Sequence, residues 1–329
     1  MFGVDFLQIF QNALVEIVSP TTAAYALAAL GLAIHFGFTG LVNFGQAGFM
    51  AIGAYGYGIS TLTFGFPVWG AVLVGIGGSI VFALILGIPT LRLRADYLSI
   101  VTIAAAEILR LVFTTNSLDF ITGSADGLSG YKGGFAALNP IPPGTYGFGP
   151  FTMNEYDLFL RLVAWTVVIL CCLLAWQLMR SPWGRVIKGI REDEDAVRAL
   201  GKNVYFYKMQ SLILGGVFGT IAGVIFILPR AIVPANYATT LTFFIYTILL
   251  LGGAATILGP VVGSIIFWVV LSAASGFIAR AQAAGWFPGM SSVQAGQTRF
   301  IIVGIVLMLL VIFRPQGIFG NKKELAFVK

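Results

Sequence analysis

Only a few side chains in this sequence can do chemistry, and their setting restricts what that chemistry is. Glu107 and Arg110 stand three residues apart inside an apolar run. On a helix that spacing puts a carboxylate and a guanidinium on one face, where each can neutralise the other. Counted from Asp96 at about 1.5 Å per residue, Glu107 lies about 16 Å along its helix, near the middle of a bilayer, where an uncompensated charge costs about 3 kcal/mol. The pair reads either as a lock that satisfies itself or as a polar station beside a solute path.

Asn43 and Gln46 form a second set, two amides set among Gly37, Gly40, Gly45 and Gly48. Their spacing approaches a capping box, so a helix is expected to begin here after a break. A second break is expected from Gly252 to Gly263, where Gly259 precedes Pro260 and Thr256 supplies a hydroxyl. Unwound backbone at membrane depth is tolerated where it is covered or wet, so Asn43, Gln46, Thr256, Glu107 and Arg110 are the expected pathway residues. The helices that follow the two breaks run in the same direction, as in a parallel repeat.

Catalysis lacks its parts. His35 is the single histidine, has no Cys, Asp or Glu close in sequence, and is read as a residue of the membrane interface. Cys171 and Cys172 are adjacent in an apolar run and read as small buried hydrophobes. There is no nucleophile elbow, HExxH or catalytic carboxylate pair, and no GxxxxGK[ST] phosphate loop, so no catalytic or metal-ligating set is assigned and no cofactor is expected on this chain.

The elements that position these residues are membrane spans. Of the 329 residues 58% are hydrophobic and 10% charged, which excludes a water-facing globule. At about 20 apolar residues per crossing, roughly nine spans are expected, near 20–38, 41–63, 68–90, 96–115, 157–179, 209–229, 237–256, 260–279 and 299–313. The expectation is one all-α polytopic bundle over 1–329 with broken helices. The start of the chain lacks the basic stretch of a secretory signal, so residues 1–19 are read as an uncleaved interfacial helix. Two stripes, Gly215, Gly219, Gly223 and Ala71, Gly75, Ser79, Ala83, Gly87, repeat every fourth residue and read as close-packing seams.

Charge gathers in one place. Residues 180–208 carry Arg180, Arg185, Lys188, Arg191, Arg198, Lys202 and Lys208 together with Glu192, Asp193, Glu194 and Asp195. With this island inside, Arg92, Arg94, Arg314, Lys322, Lys323 and Lys329 fall inside too, which satisfies the positive-inside rule and puts the N-terminus outside and the C-terminus in the cytoplasm. The net charge of +6 therefore reports membrane orientation, and nucleic acid is not expected as a partner. Within the island, the acids Glu192 to Asp195, then Ala196, Ala199 and Leu200, then Gly201, compose one short helix with acids at its start and a glycine past its end. A water-facing loop that contains so complete a helix points to something docking on it. The long loop 116–156, rich in Gly and Pro, is outside and is either a connector or a docking surface for an external partner.

Six stretches in order resemble the membrane permease subunits of high-affinity branched-chain amino acid ABC importers, the second or M-type subunit in particular. They are GFTGLVNFGQAGFMAIGAY (37–55), LRLRADYLSIVTIAAAEILRLV (91–112), TGSADGL (122–128), IREDEDAVRALGKNVYFYK (190–208), the glycine run 252–263 and FRPQGIFG (313–320). The resemblance implies a multi-pass protein of the bacterial inner membrane, paired with a second permease subunit, two cytoplasmic ATPase subunits that hold the ATP, and an external substrate-binding protein. It implies that the 192–201 helix is the coupling helix, docking on an ATPase. Its implied cargo is branched-chain or other hydrophobic amino acids; urea and short amides remain alternatives within the class, and an ion-coupled secondary transporter outside it. The chain departs from the family pattern at Ser124 and Ala255, where glycine is expected, and at Asn43 and Gln46, where serine and histidine are common.

Overall fold

The computed structural model describes residues 6–92, 95–147, 149–283, 291–313 and 316–320. In chain order its helices are α1 (Phe6–Val15), α2 (Pro20–Leu32), α3 (Gln46–Leu62), α4 (Val68–Thr90), α5 (Ala95–Thr114), the single turns α6 (Asp119–Thr122) and α7 (Gly133–Ala136), α8 (Glu155–Arg180), α9 (Pro182–Glu192), α10 (Glu194–Ala199), α11 (Val204–Ile227), α12 (Thr239–Gly252), α13 (Gly259–Ala283) and α14 (Ser292–Phe313). One small departure from the all-α expectation is a two-residue hairpin, β1 (Thr145–Tyr146) with β2 (Met153–Asn154), in the loop before α8.

α2 is apolar on every side and starts where Ser19 accepts the Thr22 N–H at 3.1 Å and Pro20 takes the first helical position. A helix that is apolar all round belongs in a core, and α2 is buried over nearly its whole length. α11 packs along it, and along α3, through the expected glycine stripe. A methyl group on Gly215 would fall 2.4 Å from the Gly31 carbonyl oxygen, and one on Gly223 would fall 2.0 Å from that of Met50. These seams exist because lipid supplies no hydrophobic drive between helices, so backbones must approach closely. The α4 stripe behaves alike: Ala71, Gly75, Ser79, Ala83 and Gly87 are its buried positions, with Leu86 and Thr90.

Among the described residues six helices are long and apolar enough to cross a membrane: Pro20–Phe38, Val68–Thr90, Tyr97–Thr114, Glu155–Arg180, Val204–Ile227 and Gly259–Gln282. α3 and α12 are shorter than the spans expected over 41–63 and 237–256, because 41–45 and 253–258 are not helical. The last helix begins at Ser292, earlier than the expected 299. Arg94, Arg314, Lys322, Lys323 and Lys329, counted above as inside, lie outside the described residues.

The 116–156 loop is folded rather than a plain connector. Leu128 bridges to Ile232, and the buried Tyr131 donates its hydroxyl to the carbonyls of Ile227 (2.9 Å) and Arg230. Burial pushes the Tyr131 phenol up, so it stays protonated as a donor. Arg230 donates to Thr21 Oγ1 at 2.5 Å and lies 4.1 Å over the Phe226 ring; burial draws its pKa down, opposed by nearby tyrosines and Glu16. Ser124 holds φ +48°, the one positive φ outside glycine among the described residues. That is the left-handed region in which glycine, the residue expected there, is at ease. Ala255 has no positive φ and needs none.

Candidate functional site

The site grows from the way α2 ends. Over Ala33–Phe38 the helix widens into a π turn, a form common where a helix is interrupted for function. Each helix end leaves its last carbonyls without intrahelical donors, and here four are accounted for one by one. The Ile34 carbonyl accepts the Thr39 hydroxyl (2.7 Å) and the Ser211 hydroxyl (3.2 Å), that of His35 accepts the Leu41 N–H (2.8 Å), and that of Phe36 accepts the Gly40 N–H (3.2 Å). The fourth, on Gly37, accepts Arg191 Nη1 at 2.5 Å, from α9 in the charged loop.

His35, expected at the membrane interface, is enclosed by the chain itself. It is fully buried, and its Nε2 lies 3.0 Å from the Leu212 carbonyl, which can only accept, so Nε2 carries the proton. Asn43 Oδ1 accepts the Gly45 N–H at 2.8 Å, which turns the Asn43 amide nitrogen toward His35 Nδ1 at 3.0 Å. Gln46 donates to the carbonyls of Ala28 (3.2 Å) and Gly215 (3.3 Å), and its Oε1 lies 3.5 Å from the Asn43 amide. The network ties α2, α3 and α11 together.

Asn43 therefore serves the start of α3 by a route other than a capping box: Gly45 is the cap residue, and Asn43 binds its N–H. α12 completes the work. Thr242 Oγ1 accepts the Ala47 N–H at 3.0 Å and the Tyr246 hydroxyl donates to the Asn43 carbonyl at 3.0 Å. In the second break Thr256 donates to the Gly253 carbonyl (2.8 Å) and accepts the Gly259 N–H (3.1 Å), which starts α13 at Gly259, one residue before the expected Pro260. The two breaks touch: a methyl on Gly37 would lie 1.7 Å from the Ala254 carbonyl oxygen.

Glu107 and Arg110 stand apart from this network. Arg110 Nε lies 3.0 and 3.1 Å from the two carboxylate oxygens and Nη2 2.5 Å from one, a bidentate pair within one turn of α5. It joins no second helix through those bonds. Both side chains are partly exposed, and the α5 face beside them shows Ile100, Ile108 and Leu111 outward.

The charged loop 180–208 holds two helices where one was expected. α9 ends at Glu192, Asp193 leaves the helical conformation, and its Oδ1 accepts the Ala196 N–H at 2.9 Å to start α10. Glu192 thus belongs to α9. Gly201 at φ +74° follows α10, in the left-handed conformation that suits a glycine past a helix end. Glu194 and Asp195 hold Arg198 at 2.9 Å each, and Glu194 also binds Lys208 of α11. Val197 is buried against Ile190 and Val204, while Ala196, Ala199 and Leu200 are exposed, Leu200 at 79%.

Residues 15–313 match the family described as branched-chain amino acid transport system / permease component. The chain belongs to this permease family. Among its relatives, the high-affinity branched-chain amino acid transport system permease protein LivM of Salmonella typhimurium is 28% identical over 92% of this chain and 69% of its own length. A probable branched-chain amino acid transport permease protein LivM of Methanocaldococcus jannaschii is 26% identical over 91% of both. A nucleoside ABC transporter permease protein, NupC of Lactococcus lactis, is 24% identical over 88% of this chain and 89% of its own. As an ABC permease component the chain is a membrane-spanning transport subunit and not itself the catalyst. An ion-coupled transporter is thereby set aside.

The permease's buried histidine was missed in the sequence. Its signal was Asn43 eight residues on, but the decisive partner, the Leu212 carbonyl, is remote.

Proposed function

We propose that this permease is one membrane subunit of an ATP-driven importer of branched-chain or other hydrophobic amino acids. It pairs with a second permease subunit and with two cytoplasmic ATPase subunits that carry the ATP, while an external binding protein delivers cargo over the 116–156 loop. The six long apolar helices plus α3, α12 and α14 make nine crossings, with the N-terminus outside and the C-terminus in the cytoplasm. The observation that carries the reading is α10. It is a separately capped helix in the most charged loop, it presents Ala196, Ala199 and Leu200 to water, and it is anchored to α9 through Val197. An apolar tip with a rigid mount is what a motor subunit needs in order to push on a membrane domain.

Cargo passes along α5 in this reading. Asn43 and Gln46 are fully buried and hydrogen-bonded to the helices around them, so they hold the broken helix in place. Glu107 and Arg110 remain partly exposed on α5, and a charged pair does not face lipid tails at mid-membrane without a cost. That face is accordingly covered by the second permease subunit, and the path lies in the seam. Thr256, as the hydroxyl of the second break, lines its inner end.

The test is uptake into proteoliposomes that hold the chain with its partner permease, ATPases and binding protein. ATP-dependent accumulation of leucine, isoleucine or valine is expected. A nucleoside cargo is the second reading, favoured by the Lactococcus lactis relative; ATP-dependent uptake of adenosine or guanosine with none of leucine would establish it instead.

A further inference from the structure

We propose that Arg191 is the residue through which movement of the docking loop enters the membrane. The proposal rests on the importer reading above and names the positioning residue of its coupling step. Arg191 sits in the last turn of α9, yet its guanidinium caps a different helix, donating at 2.5 Å to the Gly37 carbonyl at the end of the α2 π turn, 154 residues away. A cation at the carbonyl end of a helix also complements its dipole.

Three further contacts make this a strut. Lys188, one turn earlier on α9, has its ammonium 5.7 Å from the Phe38 ring centroid. Gly40, at φ +76°, lies against the Arg191 stem: a methyl there would sit in ordinary contact, 3.6 Å from Arg191 Cα and Cγ. On its other side Gly37 packs against Ala254, so whatever displaces Gly37 displaces the second break as well. At the outer end of the strut, α10 is locked to α9, with Val197 buried against Ile190 and packed close to Gly189. A push on Leu200 thus reaches both broken helices through one guanidinium. α10 also touches α11, through Glu194 with Lys208 and Val197 with Val204, so the start of α11 moves with the strut.

The π turn suits the receiving end. Its last carbonyls are held by side chains and by the 39–41 backbone in place of a helical ladder, so the turn can shift by exchanging a few bonds.

The test uses the assembled transporter in nanodiscs with Arg191→Ala and Arg191→Lys. Three quantities are read: ATP hydrolysis, leucine taken up per ATP hydrolysed, and backbone hydrogen exchange over 36–42 with and without vanadate-trapped nucleotide. For Arg191→Ala we expect hydrolysis within about twofold of the parent, at least a tenfold fall in uptake per ATP, and loss of the nucleotide-dependent change in exchange at 36–42. Arg191→Lys, which keeps a donor and the charge, should recover part of both coupling readouts. An unchanged uptake per ATP in Arg191→Ala would overturn the proposal. So would parallel loss of hydrolysis and uptake together with a lowered melting temperature in both variants, since that marks a purely structural contact. If the parent complex itself shows no ATP-dependent uptake, the importer reading fails, while the exchange readout still tests the strut.

Discussion

Two sets of polar side chains lie within the membrane-spanning part of this permease, and the fold treats them in opposite ways. His35, Asn43 and Gln46 sit on elements enclosed by the rest of the chain; 89% of the Pro20–Phe38 span is buried. Glu107 and Arg110 sit on Tyr97–Thr114, which at 17% buried has the least cover of the six long apolar helices among the described residues. In the enclosed set His35 and Gln46 are bonded to backbone carbonyls on other helices and Asn43 to His35 and the Gly45 N–H, as polar groups without water must find partners. The exposed set is bonded to itself. The contrast separates architecture from passage: groups that hold the breaks in place are consumed by doing so, and the groups still within reach of a second subunit or a solute are those on α5.

Substitutions in the enclosed set should therefore have the largest effect and act on folding. Gly215→Leu would drive a side chain into His35 Nε2, 2.3 Å from a methyl at that position, and into the Gly31 carbonyl; no monodisperse protein is expected on extraction from the membrane. Asn43→Leu strands the Gly45 N–H and His35 Nδ1. At about 1–3 kcal/mol per unsatisfied buried group, a loss of about 2–5 kcal/mol is expected in reversible unfolding in detergent. A folded, parent-like Gly215→Leu protein would break the comparison.

On α5 the order is reversed. Arg110→Leu leaves the Glu107 carboxylate without a partner at mid-membrane, worth about 3 kcal/mol, and should lower uptake at least tenfold while the melting temperature shifts by only a few degrees. The exchanged pair Glu107→Arg with Arg110→Glu should recover part of the uptake. Were Arg110→Leu to unfold the chain and leave specific uptake unchanged, the pair would belong with the architecture.

The smallest effect is expected at Ser124, which sharpens the contrast by standing outside both sets. Ser124→Gly relieves a left-handed conformation worth about 1–2 kcal/mol but gives up hydroxyl bonds to the Thr114 carbonyl and Asn116 Oδ1, both 2.8 Å, so a net change within about 1 kcal/mol is expected. Ser124→Ala keeps the strain and loses both bonds, and should be the less stable of the two by differential scanning calorimetry.

How much of this could be read in the sequence depended on the distance over which each signal acts. The seams at Gly215, Gly219, Gly223 and along α4 were legible, because close packing in lipid writes itself as small residues one turn apart. The breaks were legible too, since Gly and Pro disrupt a helix locally, although the three-residue spacing of Asn43 and Gln46 suggested a capping box where Asn43 in fact binds the Gly45 N–H. The division of the charged segment at Asp193 was hidden inside a run of four acids, of which Asp193 and Asp195 are both competent caps. The burial of His35 was not legible, because the bond to Leu212 spans 177 residues, and neither was the tie from Arg191 to Gly37 across 154. Side-chain bonds to remote backbone carbonyls leave no periodic trace.

The most direct measurement of the central claim is labelling of Ala199→Cys by a membrane-impermeant maleimide in right-side-out and inverted vesicles, with and without the ATPase subunits. Ala199 is exposed on α10, whereas the native Cys171 and Cys172 lie within α8. The account expects labelling from the cytoplasmic face alone, with protection once the ATPases are bound. Labelling from the outside, or labelling from the cytoplasm that bound ATPase does not reduce, would contradict it.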